Sequence, residues 1–484
     1  MSREFIESLK LESNVSFTAN GALSFKTSGS YVVDFFYFCG ALMDDLKRFE
    51  TMFFNAFNED RLKAIRILFY SRDVRGGQGV RNTFRTILNR LGTFYPDIAL
   101  KIAKYVPEYG RWDDLYAFVG TSIEAQVFKM MYNQLIEDIK NYKEGKEISL
   151  LAKWLKSENT SSAESRKLGK LTSKYFNMDS KTYRKVLSGL REHLRIVERD
   201  VSSNNWENID YEIVPSQAMK RYRKSFLKHD EKRFLEYLEK VKEGKKKINA
   251  STLYPHQVVE MVMEKPDETA ELLWKNLPKH EVKEDALVMA DVSGSMYSGY
   301  PMPILVSISL AIYIAQRNKG KFKNTFLTFS QNPELQEIKG ETLYENVVTL
   351  QNADWGMNTD IIKTFKLILD VAKKGNYTNE DLPKTIYIIS DMQFDIAVED
   401  NKMTNYEKIK QMYKGYGYEV PRIVFWNVSS YGRDVPVKDD EKGVMTLSGF
   451  NPVILDYIIE GKEFTPYDLV DIVINSERYN KINI

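Results

Sequence analysis

Apolar residues recur along this chain in two rhythms. Between about residues 45 and 275 they fall at helical spacing, in short stretches at 49–57, 61–70, 80–91, 97–105 and 111–118. Turn signals separate them: Asp73-Val74-Arg75-Gly76-Gly77, Gly92, Pro96, Pro107 and Gly110. Short amphipathic helices joined by short turns predict hairpins stacked as a helical-repeat, HEAT-like solenoid. The polar, proline-terminated stretch 204–215 predicts a loop. Beyond residue 280 the rhythm changes. The runs 286–290, 325–329, 385–389 and 422–426 are apolar on both parities, as strands buried on two faces are. Helical patterns at 304–316, 360–373 and 406–414 lie between them. That alternation predicts a parallel, doubly wound, Rossmann-like sheet. The expected plan is multidomain, α plus α/β. A helical domain spans 1–280 and a sheet domain 281–484, with the boundary near 278–284.

The candidate chemistry gathers where such a sheet binds ligands, beyond the carboxyl ends of its strands. Asp291-Val292-Ser293-Gly294-Ser295 follows the first apolar run and offers a carboxylate and two hydroxyls from one turn. Asn358-Thr359-Asp360 opens a helical stretch, and Ser390-Asp391 follows the third run. Hard oxygen ligands suit Mg²⁺ or Mn²⁺ and suit zinc poorly. With two carboxylates among five groups, the cation keeps positive charge and open positions for an outside carboxylate or phosphate. The bland alternative is that Asp291 caps a helix and the serines make turn bonds, which leaves Thr359 and Asp391 unexplained. Together Asp291, Ser293, Ser295, Thr359 and Asp391 resemble the metal-ion-dependent adhesion site of von Willebrand factor A domains.

Enzyme signatures are missing. Ser293 stands where a haloacid-dehalogenase-type phosphatase needs a second Asp, and neither serine has the glycines of a nucleophile elbow. Gly76-Gly77-Gln78-Gly79 lacks the spacing of a phosphate-binding loop. The four histidines, His193, His229, His256 and His280, all precede the metal motif. The single cysteine, Cys39, excludes a thiolate zinc cluster and an intramolecular disulfide. The apolar stretches 31–43 and 304–315 are too short to span a bilayer, and the amino terminus lacks the apolar core of a signal peptide. A cytoplasmic protein without enzymatic activity is expected.

The net charge of +2 conceals an asymmetry. Residues 151–250 hold 24 Lys+Arg against 14 Asp+Glu, whereas 281–484 hold 22 against 29. The basic middle includes Lys167, Lys170 and Lys174, then Lys181, Arg184, Lys185, Arg191 and Arg195, and the run Lys220-Arg221-Tyr222-Arg223-Lys224. Cations interleaved with aromatics suit phosphate neutralisation and base stacking. The competing reading is a set of solvated helix faces. The arginines flanking the glycine turn, Arg72 and Arg75, are expected to bond acids or helix ends. Trp112 and Leu115 are expected in the core, His256 in a structural role, and Asp395 in solvent.

Longer motifs sharpen the picture. Arg72-Asp73-Val74-Arg75-Gly76-Gly77-Gln78-Gly79, Val106-Pro107-Glu108-Tyr109-Gly110-Arg111-Trp112-Asp113-Asp114-Leu115 and Tyr254-Pro255-His256 resemble a family known only as a domain of unknown function. Trp355-Gly356-Met357-Asn358-Thr359, Ser390-Asp391-Met392-Gln393-Phe394-Asp395 and Phe425-Trp426-Asn427 extend the resemblance over roughly residues 30–460. That family is similar in plan to the Ro autoantigen (TROVE) proteins, in which a ring of helical repeats precedes a von Willebrand A domain. The resemblance implies binding of small non-coding RNA, or of single-stranded RNA ends. The alternative expectation is a Mg²⁺-dependent adhesion or assembly module that grips an acidic protein partner.

Overall fold

The structure, a computed structural model, describes residue 9 and residues 12–299, 301–328, 333–351, 360–395, 403–458 and 463–484. Contacts divide the chain into two compact units, neither continuous in sequence. Met1–Ser71, Gly76–Gln78 and Ala250–Tyr479 form one; Arg72–Arg75, Gly79–Asn249 and Asn480–Ile484 form the other. The boundary expected near 280 follows the change of rhythm, but the contacts place residues before 72 and residues 250–479 with the sheet.

The reason lies in the apolar stretch after residue 30. Strands β1 (Val15–Phe17) and β2 (Leu23–Phe25) pair as an antiparallel hairpin. Helix α1 (Tyr31–Cys39) follows, with the Ser30 side chain accepting from the Val33 N–H. Eight of its nine residues are buried, Phe35, Phe36 and Phe38 among them. Each such ring is worth roughly 1.5–3 kcal/mol when buried, so this helix needs apolar cover on almost every side. Part of that cover comes from the sheet. The Gly40 N–H donates to Ser448 Oγ at 3.1 Å, and a Cβ at Gly40 would lie 2.7 Å from the Ser448 carbonyl, so only glycine permits the approach. Helices α2 (Leu46–Glu59) and α3 (Arg61–Arg72) complete this amino-terminal layer.

The second unit is helical throughout its described elements. It holds α4 (Asn82–Phe94), α5 (Pro96–Ala103), α6 (Val106–Tyr109), a 3-10 helix at Trp112–Phe118, α7 (Glu124–Lys143) and α8 (Leu151–Trp154). Then come α9 (Ala163–Tyr175), α10 (Ser180–His193), α11 (Val197–Ser203), α12 (Ser216–His229) and α13 (Glu231–Lys242). The stretch read as a loop at 204–215 is anchored by aromatic contacts: Trp206 stacks on His229 at 4.7 Å, and Tyr211 packs against Phe226 and Phe234.

The first unit resumes with α14 (Pro255–Val262) and α15 (Glu268–Lys275). The sheet region then runs β3 (Ala286–Ala290), α16 (Pro303–Arg317), β4 (Thr325–Thr328), β5 (Glu334–Glu337), α17 (Leu343–Gln351) and α18 (Ile361–Lys374). It closes with β6 (Thr385–Ser390), α19 (Asn405–Tyr416), β7 (Arg422–Asn427), β8 (Val444–Ser448) and α20 (Pro466–Ile474). The strand order is β5-β4-β3-β6-β7-β8. Neighbours are parallel except β5, which runs antiparallel to β4, so the expected parallel sheet is mixed. Strand β5 reads Glu334-Leu335-Gln336-Glu337 and lies largely exposed, a charged edge that discourages further pairing. Strand order reverses between β3 and β6, the switch point at which ligands bind in such sheets. Among the described residues no helix is long and apolar enough to cross a membrane.

Candidate metal centre and basic cleft

At the switch point the register places Ala290 beside Ile389, so the residues just beyond both strands meet. Asp291 is fully buried and its N–H donates to the Ile389 carbonyl at 2.9 Å. Its carboxylate accepts from the Ser293 N–H at 2.9 Å and from the Ser390 hydroxyl at 2.5 Å. The Ser293 and Ser295 hydroxyls lie 3.1 Å apart. Asp391, also buried, accepts the Gln393 N–H at 3.0 Å through Oδ1. Its Oδ2 is buried with no hydrogen-bond partner among the described residues. Four of the five expected ligands are thereby brought to one place, and Thr359 lies outside the described residues. Asp360, next to it, caps α18 by accepting the Lys363 N–H.

The electrostatics of the pair are set by burial and by each acid's charge on the other. Burial raises the Asp291 pKa first, and the charge of Asp391 raises it further, against the hydrogen bonds from Ser390 and Ser293. Burial raises Asp391 as well, opposed by the Ser295 hydroxyl. Among the described residues no group of three or more His, Cys, Asp and Glu could hold a metal. A cation here would therefore rest on two carboxylates, hydroxyls and water. That donor set fits Mg²⁺ or Mn²⁺, with Asp391 Oδ2 the oxygen left available.

A second charged site lies within the helical unit. Asp113 and Asp114 are buried beside Trp112, which is half-buried, and Leu115, which is in the core as expected. Arg72, itself buried, pairs with Asp114 at 2.8 Å, which is the structural use anticipated for it. Arg85 reaches Asp114 at 2.6 Å and Asp113 at 3.0 Å. Arg111 meets Asp113 at 2.8 Å and Lys156 meets it at 3.2 Å. Burial alone would raise the Asp113 pKa, but the Arg111 hydrogen bonds and the charges of Arg85, Arg111 and Lys156 hold it down at about 2. Four cations surround two acids.

The positive excess continues into a cleft of about 650 Å³. Arg85, Lys156, Lys167, Lys170 and Lys174 line it, against Asp113 and Glu164. It thus gathers Lys167, Lys170 and Lys174, which sequence singled out. Arg85 and Lys156 come from outside the basic run on α9, and sequence reasoning missed them. The helical spacing of Arg81 and Arg85 was the available signal.

The other expected RNA contacts are not among the residues lining the cleft. Lys181, Arg184, Lys185 and Arg195 are exposed elsewhere. Arg191 is half-buried, its guanidinium donating to the Ala152 and Leu155 carbonyls and to Ser157 Oγ at 2.7–2.8 Å. It closes the carboxyl end of α8, a structural use that corrects its expected place on an open face. On α12, Arg221 and Lys224 are exposed, whereas Lys220, Tyr222 and Arg223 are half-buried. Arg223 donates to the Lys220 carbonyl at 2.7 Å, and Tyr222 sits 6.2 Å from the buried Phe226 ring rather than standing in solvent.

Residues 285–481 match a family described as Domain of unknown function (DUF7788). An uncharacterised protein of Acanthamoeba polyphaga mimivirus is 28% identical over 94% of this chain and 86% of its own length. The crystal structure of the Deinococcus radiodurans RO (RSR) protein is similar at 12% identity and a TM-score of 0.46, covering 88% of this chain and 92% of that one. A likeness of that size carries no weight for function. Residues 18–147 and 103–291 match the family described as Domain of unknown function (DUF2828), and the chain belongs to that family.

Proposed function

We propose that this chain is a non-enzymatic RNA-binding protein of Ro-like plan, with a von Willebrand A-type Mg²⁺ site in its sheet unit. The observation that carries the reading is the cleft, where Lys167, Lys170 and Lys174 line a concave surface beside Arg85 and Lys156, cations that already neutralise Asp113. Such a surface favours a polyanion, and RNA supplies phosphates at regular spacing for Lys167, Lys170 and Lys174 on one helix. The exposed cations of α10 and α12 extend the basic character of the unit. In the sheet unit Asp291, Asp391, Ser293 and Ser295 would hold the cation. Bound there, Mg²⁺ supplies a positive centre for an anionic oxygen of a partner.

The test is RNA affinity of the full chain as a function of salt, with a structured small RNA and a single strand. Affinity should fall steeply with salt. The triple variant K167E/K170E/K174E, altered only at exposed positions, should lose at least about a hundredfold and flatten the salt slope by about three. Salt-insensitive association, or a triple variant that binds like the unaltered chain, would refute the reading. A second reading, Mg²⁺-dependent adhesion to an acidic protein partner, is favoured by Ser295 and Tyr297, exposed just beyond the buried acids. Such a complex would ignore RNA and be lost on Asp291→Ala.

A further inference from the structure

The turn that carries Asp391 is held from a distant part of the chain. Met392 adopts φ +64°, a left-handed conformation uncommon for a residue with a side chain and costing on the order of 1 kcal/mol. Its N–H donates to Ser390 Oγ at 2.9 Å, and the next N–H, that of Gln393, fixes Asp391 Oδ1. This bend is what leaves Oδ2 of Asp391 available.

The hairpin of β1 and β2 grips the bend 373 to 376 residues away in sequence. The Thr18 hydroxyl donates to the Phe394 carbonyl at 2.7 Å, and the Ala19 N–H donates to Gln393 Oε1 at 2.7 Å. The Asn20 side-chain amide donates to the Gln393 carbonyl at 2.7 Å. Thr18 Oγ1 also accepts the Ala22 N–H, so one hydroxyl closes the hairpin turn and ties it to the metal loop. Gly21 pairs with Asp395 through the backbone, and Asp395 is half-buried there. On the far side of the bend a Cβ at Gly432 would lie 2.7 Å from Gln393 Nε2 and 3.1 Å from the Asp391 carbonyl, so the loop is enclosed there too.

We infer that the amino-terminal hairpin is a positioning element of the cation site, acting through Gln393 to aim Asp391. The inference rests on the metal reading proposed above and adds to it a dependence of metal affinity on Thr18 and Gln393. Neither is a ligand; both fix the peptide that orients one. Outer groups of this kind change metal affinity about 10- to 100-fold.

The experiment measures Mn²⁺ binding to the full chain by calorimetry for the unaltered protein, T18V, T18S and Q393A. In parallel, amide exchange at Met392 and Gln393 is read in metal-free protein. T18V and Q393A should each weaken Mn²⁺ about tenfold and speed exchange at both amides, while T18S, which keeps the hydroxyl, restores both. Folded T18V with unaltered affinity and unaltered exchange overturns the inference. If the unaltered chain binds no Mn²⁺, the metal reading falls. Exchange that speeds in T18V and recovers in T18S then still supports the clamp, and exchange that does not change overturns it.

Discussion

Each of the two units buries a pair of aspartates, and the pairs are solved in opposite ways. In the helical unit Asp113 and Asp114 meet Arg72, Arg85, Arg111 and Lys156, so every charge has a fixed partner and the Asp113 pKa drops to about 2. In the sheet unit Asp291 and Asp391 meet hydroxyls and peptide N–H groups, their pKa values rise, and Asp391 Oδ2 has no hydrogen-bond partner among the described residues. A buried acid answered by side chains holds the fold together. One answered only in part is what the cation site proposed above would use.

The contrast breaks most visibly at Asp114. Asp114→Ala leaves the buried Arg72 without its acid and Arg85 with one partner fewer. Chemical denaturation should show a loss of about 3–5 kcal/mol, the usual cost of removing one partner of a buried pair. At the other pair the same type of change should act oppositely. Asp391→Asn relieves the repulsion felt by Asp291, so the metal-free melting temperature should hold or rise. The variant should also lose the stabilisation that Mg²⁺ gives the unaltered chain, about 2.7 kcal/mol at a hundredfold excess over Kd. Equal Mg²⁺ shifts in the two proteins would place the cation elsewhere.

This asymmetry explains what was legible in the sequence. Asp291-Val292-Ser293-Gly294-Ser295 and Ser390-Asp391 follow apolar runs, and a buried parallel strand writes its own end, so the meeting of these four expected ligands could be read from local pattern. The strands 286–290, 385–389 and 422–426 matched their observed spans to within a residue for the same reason. Strand β5 could not be read, because an edge strand of Glu and Gln has no apolar signature. The hairpin at Val15–Phe17 and Leu23–Phe25 escaped notice because it is short and its importance lies in contacts hundreds of residues away. Arg191 misled because charge composition reports where cations occur in sequence, whereas the carbonyls that engage this one belong to α8 and the residue after it.

Acid titration sharpens the comparison further. The Asp113 pKa lies below its usual value, so its contribution to stability is complete above pH near 4 and is lost as pH falls through about 2. The contribution is about 2 kcal/mol from the size of the shift. Unfolding free energies of the unaltered chain and Asp113→Asn, measured between pH 5 and 2, should converge as the pH drops. A gap that stays constant over that range would show that the cations around Asp113 stabilise it through geometry rather than charge.

The smallest expected effect separates engaged cations from those facing the cleft. Lys170 is exposed and lines the cleft, whereas the Arg191 guanidinium donates to three acceptors. Lys170→Ala should weaken RNA binding only a few-fold, uniformly across sequences, and reduce the salt slope by about one. Arg191→Ala should leave the slope unchanged yet lower the melting temperature, because it strips the Ala152 and Leu155 carbonyls of their donor. If Arg191→Ala instead flattened the salt slope while the melt held, the guanidinium would be reaching phosphate, and the line drawn between structural and ligand-facing cations in this unit would have to move.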